Sequence, residues 1–194
     1  MPPAAPPPAD TPAIPDASTY QAPDPMPLPP GAPADQALWR KALDEGNSLS
    51  TVRAEAAKLQ WKAHNGKYET RLTERARGKS EAEAARLKEV ARKVLAAWDT
   101  NHALTTSQWP VDPTRGCQYQ ALQLESAMNI SDGPAKSAMM APAKEDANRC
   151  IEAAEAILGR VRRSNQDLDK ALAEADAALA PVAAPASSGA PAAK

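Results

Sequence analysis

Four residues of this chain carry side chains suited to cross-linking or metal binding: Cys117, Cys150, His64 and His102. The two cysteines are the only ones present. They sit symmetrically about Ser131-Asp132-Gly133-Pro134, with their midpoint between Gly133 and Pro134. Gly-Pro is a strong turn signal, and a helix running into it with another running out would bring both thiols to the same height. The spacing therefore predicts a Cys117–Cys150 disulfide across a helical hairpin. In the chain-entropy model a closed loop of about 34 residues stabilises the fold by roughly 3.8 kcal/mol. A structural disulfide also implies an oxidising compartment. The competing reading is a reduced, buried pair in a cytosolic protein.

The histidines are isolated on predicted helices. Two His and two Cys would complete a tetrahedral zinc set, but zinc ligands usually arrive in close pairs, and here every pair is far apart in sequence. The chain has no HExxH, nucleophile elbow, phosphate loop or dinucleotide fingerprint, its eight glycines are unclustered, and the CxxCH of covalent haem is missing. The expectation is no catalytic residue, no metal and no cofactor.

Composition says what must position these residues. The 20 prolines crowd the ends, leaving a folding part of about 145 residues, one ordinary domain. Aromatic residues make up 4%, Phe is absent and Ala dominates the apolar set, so the core is thin. A thin core suits long helices in side-by-side contact, giving an all-α class with antiparallel helices in a hairpin or coiled-coil-like bundle. A net charge of -1 lacks the footprint of a dedicated nucleic-acid binder. No apolar run approaches the roughly 20 residues of a membrane span, so membrane attachment would come only from a lipid anchor outside this chain.

Three regions follow: residues 1–33, 34–180 and 181–194. The first is proline-rich, sampling polyproline II at about 3.1 Å per residue, and reads as an extended linker or tether. Pro27-Leu28-Pro29-Pro30 offers a docking motif as the alternative. The last region reads as an Ala- and Pro-rich disordered tail. A chain opening directly into such a spacer resembles a mature extracytoplasmic or lipid-anchored protein from which a signal has been removed.

Between the ends the sequence is written in helical periods. Asp35 is the expected cap of a helix with a seam at Leu38, Ala42, Leu49, Val52, Ala56, Leu59 and Ala63, running unbroken through Gly46. Asn65-Gly66 is a second breaker. Trp61, Tyr68 and Leu72 make another stripe at i, i+7 and i+11, which faces either a neighbouring helix or a partner. Ser80 and Glu83 form a capping box before Ala84, Leu87, Ala91, Val94 and Trp98. Residues 53–93 carry twelve Lys or Arg against six Glu, a balance suited either to a solvated face or to an acidic partner. Residues 105–116 are an irregular connection. Its Trp109 either plugs the bundle end or anchors a partner.

After this loop, Cys117, Ala121, Leu124 and Met128 share a face, and Met139, Ala147, Cys150, Ala154 and Ile157 return on the other arm. Pro142 places the start of the last helix near itself, since proline is tolerated in a first turn. From there to residue 180 a heptad seam holds, with Asn165 at one polar position. A seam Asn fixes register or oligomeric state, which admits a homo-oligomer.

The reading that unites these features is a non-catalytic structural or interaction protein of the cell envelope, extracytoplasmic, docking on protein partners within a multi-subunit assembly. Candidate contact residues are Trp61, Tyr68, Leu72 and Trp109. The alternatives are a cytosolic coiled-coil adaptor using Trp61, Tyr68 and the basic middle, and a helical-bundle enzyme or ligand carrier using His64, His102 or the Trp109 loop.

Overall fold

The computed structural model describes residues 27–181. Most of the proline-rich segment and the tail from residue 182 onward lie outside the described residues. Five helices follow one another: α1 Pro33–Gly66, α2 Tyr68–Ala76, α3 Glu81–Thr106, α4 Gln118–Met128 and α5 Pro134–Leu179. Among the described residues the only extended pairing is an isolated bridge between Asp112 and Gly116. The protein is predominantly helical, as expected.

At 1.5 Å per residue the 46-residue α5 is about 69 Å long and serves as the spine. The 34-residue α1 lies against it. Two apolar clusters divide the length of α5. The first joins Trp39, Leu49 and Val52 of α1 with Leu124 and Met128 of α4 and Ile151, Leu158 and Val161 of α5. The second joins Tyr68 and Leu72 of α2 with Leu87, Val90 and Val94 of α3 and Leu168 and Leu172 of α5. An alanine-rich chain thus buries its few large side chains in two short layers, where helices can approach closely.

Helix ends explain several boundaries. Ala32 is the N-cap of α1, with Pro33 in the first turn and no side-chain cap. Asp35 therefore lies inside the helix rather than capping it, because proline's fixed φ suits the first helical position two residues earlier. Its carboxylate instead pairs with Lys144 of α5 at 2.5 Å. The α1 helix does run through Gly46. It stops at Gly66, where Lys67 takes the left-handed conformation (φ 46°, ψ 40°) and redirects the chain into α2.

The Ser80 hydroxyl accepts from the Glu83 amide at 3.4 Å, giving one half of the capping box. The other half is replaced, since the Glu83 carboxylate approaches Lys79 at 3.9 Å. The Arg75 guanidinium donates to the carbonyls of Leu179 and Ala180, both at 2.7 Å, satisfying the end of α5 with a cation where the helix dipole favours one.

Two expectations for α5 are corrected. The helix starts at Pro134, eight residues before Pro142, which it carries in its interior. Pro142 is exposed, and so is Ala138, four residues earlier, whose carbonyl has no amide from Pro142 to accept. The apolar phase shifts with this early start: Met140 is buried and Met139 is exposed. No helix among the described residues is long and apolar enough to cross a membrane.

Candidate functional site

Cys117 and Cys150 form a disulfide, with Cα atoms 5.8 Å apart. Cys117 is the N-cap residue of α4 and fully buried; Cys150 lies on α5 against the same apolar cluster. The bond therefore ties the loop-to-α4 junction to the spine. Since both sulfurs are consumed in it, neither is available as a thiolate for the metal set that two Cys and two His would have made.

The loop ahead of Cys117 is held at several points. Asp112 Oδ1 accepts from the Thr114 hydroxyl at 2.6 Å and from the amides of Thr114 and Arg115 at 2.7 and 3.1 Å. These bonds, the hydroxyl's first, hold the Asp112 carboxyl below the usual carboxylate range. Ser50 of α1 donates to the Pro113 carbonyl at 2.8 Å. Trp109 donates from Nε1 to the Leu104 carbonyl at 2.8 Å and packs on the first cluster, with the Arg53 guanidinium 5.8 Å from its ring centre. Its side chain is thus engaged within the bundle.

Between the two apolar clusters lies a polar layer that spans three helices. Asn165 Oδ1 accepts from Asn101 Nδ2 at 2.8 Å, and Asn165 Nδ2 donates to the Val52 carbonyl at 3.2 Å. Asn101 Nδ2 also reaches Ser164 Oγ at 3.2 Å, while Gln60 Nε2 donates to Asn101 Oδ1 and Thr105 Oγ1 at 2.7 and 2.9 Å. The seam asparagine thus finds its partners inside the chain, where it fixes the mutual register of α1, α3 and α5.

The stripe of Trp61, Tyr68 and Leu72 divides. Tyr68 and Leu72 are interior residues of the second cluster, while Trp61 is 69% exposed. The Tyr68 hydroxyl donates to Asp176 Oδ1 at 2.7 Å, and burial followed by this bond pushes its pKa up to about 12. Asp176 also pairs with Lys62 at 3.0 Å, so its carboxyl is lowered by the Tyr68 hydrogen bond first and Lys62 next. A constant helical spacing cannot hold across Lys67, because its left-handed turn rotates α2 relative to α1.

What remains on the surface at this corner is a groove of about 250 Å³ between α1–α2 and α3. Its walls include Ala63, His64 and Lys67 on one side and Ala91, Leu95 and Trp98 on the other. Leu95 is 47% exposed. His102 stacks on Trp98 with ring centres 4.7 Å apart and planes inclined by 8°. Helical geometry sets Trp61 about 60° round α1 from His64 but about 120° from Lys67 and about 160° from Ala63, so it stands outside the groove's walls. His64 thus stands in the groove wall and His102 stacks on a wall residue, in the other cluster's half of the bundle from the disulfide. No local pattern pairs α1 with α3, because His64 and Trp98 belong to separate helices, so the groove was not legible from spacing.

Among the described residues no group of three or more His, Cys, Asp or Glu side chains is arranged to hold a metal. No protein-family model, curated protein or solved structure matches the chain.

Proposed function

We propose that this chain is a non-catalytic structural or interaction protein of the cell envelope. Its helical body, an antiparallel bundle wound on α5, docks on protein partners, and its proline-rich N-terminal segment serves as a spacer. The observation that carries this reading is the Cys117–Cys150 disulfide, which joins the buried Cys117 to the half-buried Cys150 at the first cluster. Such a bond persists in an oxidising compartment and contributes most to a chain with a thin core, which supports a periplasmic or secreted location.

Support for docking comes from the exposed side chain of Trp61. A tryptophan exposed to this degree costs hydration free energy unless a partner covers it, and aromatic side chains dominate the energetics of protein interfaces. Engagement of the asparagine layer inside the bundle supports a body that presents a fixed surface.

The compartment is tested by alkylating the protein in its native cell fraction before any reductant is added. The expected result is no accessible thiol in the unfolded, alkylated protein and two after reduction. Two free thiols before reduction would place the protein in a reducing compartment. Docking is tested by a photo-cross-linking residue at position 61 in the native cell. Adducts with an envelope protein are expected, and their absence would remove this face as the docking surface.

A further inference from the structure

We propose that the cleft between α1 and the loop entering α4 binds a small organic acid that carries a hydroxyl or ammonium group beside its carboxylate. This goes beyond the docking reading and does not depend on it. The cleft holds about 510 Å³, within the range of small-molecule sites. One wall is the stretch of α1 from Trp39 to Asn47, and the other is Thr114, Arg115 and Gln118. The walls meet where the Arg115 backbone lies against Gly46, and the disulfide at Cys117 ties the second wall to the spine.

The charged lining consists of two arginines, Arg40 and Arg115, and one aspartate, Asp44. Among the described residues none of these three side chains forms an ion pair or a hydrogen bond, whereas Lys41, beside Arg40, is bonded to Glu155. The loop's own carboxylate, Asp112, gives its Oδ1 to Thr114 and to the Arg115 amide rather than to the guanidinium. Arg40 precedes Gly46 by six residues, about 9 Å along α1, so Asp44 falls between Arg40 and the level of Arg115. A guanidinium matches the planar carboxylate of a ligand. The carboxylate of Asp44 only accepts, so the ligand must bring it a donor, a hydroxyl or an ammonium. A plain dianion is repelled by Asp44, and a neutral polyol leaves both guanidinium groups unmatched. Trp39 and Leu43 supply the apolar lining for the carbon skeleton. Arg40 and Asp44 also border a neighbouring cleft of about 490 Å³, from which Arg115 is absent, so Arg115 tells the two apart.

The test uses the full oxidised chain at neutral pH with a matched series of small probes sharing one carbon count. Tartrate and aspartate carry carboxylates with a donor, succinate carries carboxylates alone, and erythritol carries hydroxyls alone. Dissociation constants come from nuclear magnetic resonance titrations followed at the Arg115 and Gln118 amides. Tartrate or aspartate is expected to bind at least about tenfold more tightly than succinate, the contribution of one charge-assisted hydrogen bond. Which of the two leads identifies the donor as hydroxyl or ammonium. Erythritol should not bind, and added salt should weaken the acids. Arg115→Met should weaken the favoured acid and succinate alike, by about tenfold. Asp44→Ala should bring the favoured acid and succinate to equal affinity, a change of selectivity that a merely structural role would not produce. Both side chains are exposed, so circular dichroism and melting temperature should be unchanged.

Succinate binding as tightly as tartrate and aspartate to the unaltered chain would overturn the role of Asp44 and the proposal with it. No binding of any acid at millimolar concentration, or binding that Arg115→Met leaves unchanged, would overturn the cleft as the site.

Discussion

Gly116 lies directly against Gly46: a Cβ added to Gly116 would stand 2.2 Å from the Gly46 amide nitrogen. In the other direction, a Cβ on Gly46 would stand 2.8 Å from the Arg115 carbonyl carbon. The loop that leads into Cys117 thus touches α1 backbone to backbone, which only the absence of both side chains permits. A glycine inside a helix, costly by propensity, is in this way the place where the disulfide's loop is seated.

Gly116→Ala is expected to destabilise the fold by about 3 kcal/mol. Its φ of +53° adds a left-handed penalty of about 1–2 kcal/mol to overpacking of about 1–3 kcal/mol. Gly46→Ala should cost less, about 1–2 kcal/mol, because a gain in helix propensity near 1 kcal/mol offsets part of the same crowding. Urea unfolding of both variants measures this. A Gly46→Ala midpoint at or above the wild type would mean that the loop yields without strain.

Reduction of the disulfide, or Cys117→Ser with Cys150→Ser, should lower stability by about 3–4 kcal/mol. For a folded part of this size the melting temperature should then fall by about 10 °C. Calorimetry with and without reductant checks this on one sample. A midpoint that does not move would show that the packing of α4 on α5 makes the bond redundant.

The features legible in the sequence are those written by local chemistry. The cysteine pair was readable because the Gly133-Pro134 turn fixes where two arms meet, and Ser80 because a cap is defined within four residues. Pro142 misled because its cost falls on one solvent-facing hydrogen bond, while Met140, Ala143 and Ala147 keep the helix in phase through it. The Trp61–Tyr68–Leu72 stripe failed at Lys67, whose positive φ no spacing rule anticipates. Trp39, buried with its Nε1 donating to Glu125 at 3.1 Å, and the contact of Gly46 with Gly116 depend on partners some seventy or more residues away. No local pattern names such partners.

Asn101 and Asn165 should prove energetically coupled. Asn101→Leu alone leaves Asn165 Oδ1 without a partner in the interior, at about 1–3 kcal/mol, while the half-buried Gln60 Nε2 keeps its bond to Thr105 Oγ1. The double replacement by Leu removes donor and acceptor together, so its cost should fall below the sum of the single changes by about 1–3 kcal/mol. A double-mutant cycle from denaturant unfolding measures the difference. Strict additivity would show that the two amides do not share the bond in solution.

Glu45 makes the fold's stability depend on pH. It is 7% exposed, and its Oε2 has no hydrogen-bond partner among the described residues. Burial first, then the charges of Glu155 and Asp44, raise its pKa, while Lys41 and Arg162 oppose them; Lys41 is itself engaged with Glu155 at 2.6 Å. A folded pKa above the unfolded one means that the native state binds the proton more tightly. The stabilising contribution is therefore complete below the unfolded value and is lost as pH rises through the folded value. Glu45→Gln keeps the shape of the side chain and removes the charge, so it should be more stable than the wild type at neutral pH, with the gap closing as the pH is lowered. Unfolding free energies of both proteins at about pH 4 and about pH 7.5, on either side of the ordinary carboxylate range, test this. A variant less stable than the wild type at neutral pH would mean that the carboxylate is satisfied by Lys41 or Arg162, and that the charge of Glu45 is held rather than suppressed.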